Sequence, residues 1–388
     1  MNKSIISKKY YINGPESVSR LEGKINGIKK VIYLFGEVHP YSNECREDNN
    51  IDIDKFLLQM FKYNDEKNKN YLDVFLEIYD IDNKNFLLGS YRMMMINKLR
   101  LLLKDNKEIN KSVSKNDKIK YTRFHNFDIR YIFNKYHIHS DTTTIPEDIE
   151  SFNEIIYKLF VLRDNINKFI KEEDIIIDGK LNTKSKVLKK LFDKYDTKKC
   201  NEILSDITIK YFNILINIPN KINDLIFDIH NKSILLKKDT EYKKYDYTKY
   251  SKYVLDKITD IFIQYNAIND TLLFTTSFIT DLYLLRRILD KKYITRSIVY
   301  SGNAHSYHLK YILIKYFNFK LTHINNEKSN GEYKKQVKEE TKFIKELNNN
   351  NLLDFGHKID LMTNNLVYTK NDNNKQCVNL FDFPNNLS

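Results

Sequence analysis

Two short stretches carry the residue types that chemistry needs. Gly36-Glu37-Val38-His39-Pro40 and Gly302-Asn303-Ala304-His305 each follow an apolar run and set polar side chains directly behind a glycine. Gly36 permits a sharp turn, and a two-residue step puts Glu37 and His39 on the same side of extended backbone. A carboxylate beside an imidazole suits two tasks. The pair coordinates a divalent metal, or the carboxylate orients the imidazole as a general base towards water. The competing reading is a loop histidine bonded to backbone. In the second stretch Asn303 is a candidate N-cap, and His305 falls in the first turn of a helix, where the positive dipole end favours a neutral imidazole. His308 shares roughly its face three residues on, with packing as its alternative role.

Further ionisable residues stand near the ends of other apolar segments. Glu77 follows Tyr71–Leu76, and a third strand-like segment carries His125, Asp128 and Arg130. Asp281 and Arg286 interrupt an apolar helix, where a buried charge needs a partner. Arg130 and Arg286 are candidates to clamp an anionic group or an oxyanion, although Asp128 and Arg130 would equally suit an ion pair with each other. The candidate catalytic set is therefore His39, Glu37, His305, Arg130 and Arg286. Glu77, Asp128, Asp281, Asn303 and His308 are candidates for substrate contact or support. A divalent metal, zinc or manganese, would be held by Glu37, His39, Glu77 and His305, and no other cofactor is indicated.

The elements that must position these groups read as an α/β fold: a mixed, largely parallel central sheet flanked by helices, with a large helical insertion. Val31–Phe35, Tyr71–Leu76, Tyr121–Ile129 and Ser297–Tyr300 read as strands, with Phe317–Ile324 as one more short strand. Helices are expected over 51–63, 86–103, 304–316 and, solvated, 333–347. Apolar residues at three- and four-residue steps run from Pro146, placed for the first position of a helix, to about Asn217, and again over 221–236 and 253–289. The expected division is 1–145 and 251–325 for the sheet, 146–250 for a helical insertion or lid, and 326–388 for a charged, Asn-rich, partly flexible tail. In that tail Val378–Phe383 is apolar enough to dock back. Ligands of open α/β sheets lie beyond the carboxyl ends of the strands, so Glu37, His39, Glu77 and His305 are expected to line one crevice.

Composition narrows the classes. With 388 residues, 41% of them hydrophobic, the chain can bury a large core, and 9 Gly and 5 Pro exclude collagen-like and Gly/Pro-rich sequences. No apolar run is long enough to span a bilayer and no secretory signal is visible. A net charge of +13 favours weak association with nucleic acid or an anionic surface. It is diluted as a clue by the Lys-, Asn-, Ile- and Tyr-rich, Trp-free composition of an AT-rich genome. Three cysteines far apart give neither a disulfide framework nor a CxxC zinc site, and a reducing compartment is expected. His137 and His139, with Asp141, have metal-ligand spacing in a polar turn, and the lysines and tyrosines of 242–253 would suit either nucleic-acid contact or a solvated loop. No Walker A, GxGxxG, GxSxG or HExxH pattern is present.

Taken together, Phe35-Gly-Glu-Val-His39, Glu77, Asp281 with Arg286, and Tyr300-Ser-Gly-Asn-Ala-His305 resemble the pattern shared by erythromycin esterase-like, ChaN-like and TraB/TIKI-like proteins. The resemblance spans residues 30–130 and 270–325. It implies His39 as general base or metal ligand, Glu37 as its carboxylate partner and His305 as second histidine. Those families include ester hydrolysis, metal-dependent proteolysis and haem binding, so the resemblance leaves the reaction open. The composition also resembles proteins of large AT-rich DNA viruses, which implies the host cytoplasm or a virion. The leading expectation is a hydrolase-like protein that activates water for cleavage of an ester or peptide-type bond, with or without a metal. The alternatives are a non-catalytic viral structural or interaction protein on the same scaffold, and nucleic-acid binding. Substrate and oligomeric state are not legible.

Overall fold

The computed structural model describes residues 11–37, 45, 49–68, 70–77, 114–116, 119–138, 149–177, 181–192, 195–240, 252–326, 333–346, 377–380 and 383. His39, His139, Asp141, the helix expected over 86–103 and residues 242–250 lie outside them. The first half of the chain contains β1 (Tyr11–Asn13), β2 (Ser17–Ile25), β3 (Ile28–Glu37), β4 (Asn50–Asp52), α1 (Ile53–Tyr63), β5 (Leu72–Leu76), β6 (Ser114–Asn116), β7 (Ile119–Asn126), α2 (Tyr131–Asn134) and α3 (Ile149–Glu172). Then come β8 (Ile176–Ile177), β9 (Leu181–Asn182), α4 (Lys198–Thr240), α5 (Lys252–Asp290), β10 (Arg296–Gly302), α6 (Asn303–Lys315), β11 (Lys320–Asn326), α7 (Tyr333–Glu346) and β12 (Cys377–Asn379).

The fold is α/β. Seven strands form one sheet in the order β11-β2-β3-β10-β5-β7-β6, in which β3, β10, β5 and β7 run parallel, β2 and β6 run antiparallel to them, and β11 pairs antiparallel with β2. Of the four parallel strands, β3, β5 and β10 carry nearly continuous apolar runs, as burial on both faces requires, whereas β7 mixes aromatic and polar residues. β2 was not legible as a strand. It joins β3 through Asn26 and Gly27 at φ 49° and 79°. These are the left-handed pair that a two-residue hairpin needs.

Contacts divide the chain into two compact units. One comprises residues 1–128, 195–203 and 280–388 and contains the seven-stranded sheet; the other comprises 129–194 and 204–279. The helical unit thus begins before residue 146 and takes residues 252–279 of α5, which the sequence division assigned to the sheet. Within it, Phe169 packs against Phe133 and Tyr136, and Lys232 bridges Asp228 of α4 and Asp260 of α5. No helix among the described residues is long and apolar enough to cross a membrane.

In the sheet unit, strand alternation decides which side chains meet. Val31, Tyr33, Phe35, Val74, Ile298 and Tyr300 form one core cluster with Phe56, Leu57, Met60 and Phe61 of α1 and with Val378 and Phe383 near the C-terminus. Of the stretch expected to dock, Val378, Leu380 and Phe383 are in this core cluster. β12 pairs antiparallel with β1, which pairs parallel with β4 in a separate three-stranded sheet. That pairing overturns the expectation that the cysteines form no disulfide. Cys45 is bonded to Cys377 across 332 residues, because Asn13 of β1 accepts the Cys45 N–H (3.2 Å) while β1 also pairs with β12. Sequence spacing contains nothing of this contact. Cys200 is buried and free.

Thiol titration of the denatured, unreduced protein should give a single thiol, assigned to Cys200, and peptide mapping should recover Cys45 linked to Cys377. Three thiols would contradict the pairing. Cys45→Ser combined with Cys377→Ser should cost about 2–5 kcal/mol of stability, measured by denaturant unfolding.

Candidate functional site

A row of ionisable groups lies beyond the carboxyl ends of β5 and β10. Glu77 is the first residue after β5, and its Oε2 accepts the Gly302 N–H at 2.8 Å, where β10 turns into α6. His305, in the first turn of α6, donates from Nε2 to Glu77 Oε1 (3.1 Å) and from Nδ1 to Asp281 Oδ1 (2.7 Å). Asp281 Oδ2 is 2.8 Å from Nδ1 of His308, one turn further along α6. The result is a continuous chain, Glu77–His305–Asp281–His308, with Phe127 edge-on to His305 at 6.4 Å. The i, i+3 spacing of the two histidines lets one aspartate on α5 serve both.

Burial and charge set the protonation. Asp281 and His308 are fully buried, and His305 and Glu77 are each 5% exposed. Burial alone would disfavour the His305 imidazolium, but the charges of Asp281 and Glu77 and their hydrogen bonds outweigh it and raise the group from 6.5 to about 10. This corrects the expectation of a neutral imidazole. Two carboxylates within hydrogen-bond reach outweigh the dipole of one helix end. His308 is lowered, chiefly by burial and further by the nearby His305 charge, against the opposing pull of Asp281. A metal at His305 does not fit this arrangement, since both ring nitrogens bond carboxylates and neither offers a lone pair. Among the described residues no group of three or more His, Cys, Asp or Glu is placed to hold a metal ion.

The other sequence candidates are placed as follows. Asn303 is not the N-cap; Gly302 is, and the Asn303 amide instead accepts from Ser17 Oγ (2.6 Å) and donates to Glu16 (2.9 Å). That amide occupies the space over Gly36, where an added Cβ would collide with Asn303 Oδ1. Close approach, rather than turning, is what Gly36 supplies. Glu37 accepts the Tyr300 hydroxyl at 2.5 Å. It shares the sheet face of Val31, Tyr33 and Phe35, whereas Glu77 follows Asp73 and Phe75 on the other, so the structure does not bring Glu37 and Glu77 together. Arg286 is buried with its guanidinium 5.5 Å from the Tyr195 ring centroid. The Asp128 N–H donates to the Asn126 side chain, and Arg130 heads α2 in the helical unit.

One network was missed. Asp73, fully buried within β5, accepts two hydrogen bonds from Arg123 (2.8 and 2.6 Å) and one from His125 (2.7 Å), and Arg287 lies 3.2 Å from the other His125 nitrogen. Arg123 is sandwiched between the rings of Tyr71 and Tyr293, and His125 stacks on Phe75. The signal was available, since an aspartate inside the apolar run Leu72–Leu76 demands a cationic partner. This network stands on the sheet face of Glu77, towards the amino end of β5.

A family described as "Family of unknown function (DUF5847)" matches residues 10–176 and 162–388. Three similar proteins are uncharacterized proteins of Acanthamoeba polyphaga mimivirus. One is 27% identical over 84% of this chain and 89% of its own length, and a second is 27% identical over 97% of each. A third is 37% identical over 32% of this chain and 76% of its own length. These relatives are viral, as the composition led one to expect. No solved structure matches.

Because folded His305 holds its proton more tightly than an unfolded histidine, its contribution to stability is complete below pH 6.5 and is lost as pH rises through about 10. His308, lowered on folding, contributes above pH 6.5 and loses that contribution as pH falls. Unfolding free energy should therefore decline as pH rises from 6.5 to about 8, above which Lys30, lowered to about 8 by burial, contributes the opposite slope; the decline should be less steep in Asp281→Asn. Equal slopes would contradict the assignment. Asp281→Asn should itself cost about 3–5 kcal/mol, because it leaves a buried cation short of a partner.

Proposed function

The chain belongs to the DUF5847 family, and we propose that it is a hydrolase-like enzyme whose acid–base centre is the Glu77–His305–Asp281–His308 chain. The observation that carries this reading is the position of that chain, beyond the carboxyl ends of two parallel strands of an α/β sheet, where such folds place their ligands. Glu77 is the carboxylate that takes a proton from water. The Gly302 N–H and the His305 imidazolium fix its orientation, and Asp281 keeps His305 charged so that developing negative charge meets a cation already in place. His308 fixes the second oxygen of Asp281. The bond cleaved would be of ester or peptide type, and no step is routed through a metal. The resemblance to erythromycin esterase-like, ChaN-like and TraB/TIKI-like proteins rests on the short motifs alone, with His39 as the base it would add.

A second reading has its own support. All four side chains are buried, and both nitrogens of His305 are engaged, as in an ionic strut that fastens α5 and α6 to the sheet of a non-catalytic viral protein. The two readings separate on Glu77→Gln, which removes the charge with little change in volume. Assayed on p-nitrophenyl esters and a fluorogenic peptide panel, the wild-type chain should hydrolyse at least one substrate, and Glu77→Gln should lower that rate by about 10²–10⁴-fold while remaining folded by circular dichroism. Hydrolysis unchanged in Glu77→Gln, or a wild-type chain inert across the panel, would favour the strut.

A further inference from the structure

A groove of about 670 Å³ runs between α7 and the end of the sheet formed by β11, away from the residues of the acid–base chain. Among the described residues its rim includes Lys320, Lys334, Lys338, Lys342 and Lys345, with Glu346 as the acidic side chain. We infer that this groove binds the phosphate backbone of a nucleic-acid strand.

The placement of α7 explains why the lysines are available. The helix is fastened on its other side, where Glu340 pairs with the buried Lys310 of α6 and Ile344 is buried. Held there, it turns Lys334, Lys338 and Lys342, each exposed, towards the groove in a single i, i+4 row. Their spacing is about 6 Å along the axis, comparable to that of successive phosphates on an extended strand. Lys320, Lys334 and Lys338 make no ion pair among the described residues. Lys342 meets Glu346 only at 3.8 Å. Both of those side chains are exposed, and such a contact has little energetic weight. Three lysines without an ion pair and a fourth, Lys342, in one weak exposed contact therefore face one concave surface.

The chemistry of the lining favours phosphate over other anions. Lysines act as point charges that suit phosphate oxygens, and no arginine among the described residues lines the groove to make the bidentate contacts that carboxylates reward. A regular row along a groove matches a polymer charged at every unit better than the sparser charges of an acidic peptide. Among the described lining residues the aromatic one, Phe319, is 3% exposed and offers no platform for stacking bases. Binding should accordingly ignore sequence and depend steeply on salt.

The test is fluorescence anisotropy of a labelled oligo-dT of about 20 nucleotides on the full chain at several salt concentrations. Lys334→Gln/Lys338→Gln/Lys342→Gln should weaken binding at least about tenfold and flatten the log–log salt dependence by about 2, at roughly 0.7 per lost phosphate contact. A charge-matched control, Lys168→Gln/Lys171→Gln/Lys210→Gln, should stay within about twofold of wild type. Equal losses in both variants would show attraction by net charge alone and overturn the groove. Wild-type protein that fails to bind at about 50 mM salt would overturn it as well. Displacement of the oligonucleotide by polyglutamate as readily as by unlabelled oligo-dT would overturn the nucleic-acid assignment in favour of an acidic peptide.

Discussion

A carboxylate with no exposed surface, Asp281, organises this end of the protein. An isolated buried charge of that kind would cost several kcal/mol, and the structure meets the cost by giving each oxygen its own histidine. Both histidines lie on α6, so satisfying Asp281 fixes α6 in rotation and height against the end of α5 that carries it. The first histidine then has one nitrogen left, and it reaches Glu77 at the end of β5. One electrostatic requirement thus ties a helix end, a helix start and a strand end together.

Local geometry supports the same point. β10 hands over to α6 at Gly302, whose N–H is bound by Glu77 rather than by a capping side chain, so the acid that touches the histidine also serves the helix terminus. Asn303, released from capping, fastens the start of α6 to Glu16 and Ser17 at the start of β2, and it fits only because Gly36 has no side chain. On the opposite sheet face the Tyr300–Glu37 bond takes the corresponding position at the end of β3. The centre of the sheet is therefore polar on both faces at its carboxyl end, with a separate Asp73 network nearer the amino end.

Much of this was legible in the residues and some was not. β3, β5 and β10 are legible as apolar runs, whereas β7 mixes aromatic and polar residues; Asp281, in its apolar helix, is buried and has the partners that a buried charge needs. The grouping of Glu77 with His305 followed from the strand-end rule. Glu37 was grouped with them because that rule says nothing of sheet faces; only register against neighbouring strands separates the two. The charge on His305 was misjudged because a helix dipole is visible in sequence and two carboxylates arriving from β5 and α5 are not. β2 escaped notice although Asn26-Gly27 is a hairpin signal, since its mixed composition hid the strand before it. The Cys45–Cys377 bond depends on a strand pairing between distant parts of the chain, which local pattern does not encode.

His305 is a cation held between Asp281 and Glu77. Nitrogen-detected NMR of ring-labelled histidine reports both imidazole nitrogens directly. At about pH 8, above the ordinary histidine range, His305 should show two protonated ring nitrogens. It should lose a proton only as pH approaches about 10. A neutral His305 ring under those conditions, titrating near the ordinary 6.5, would contradict the account.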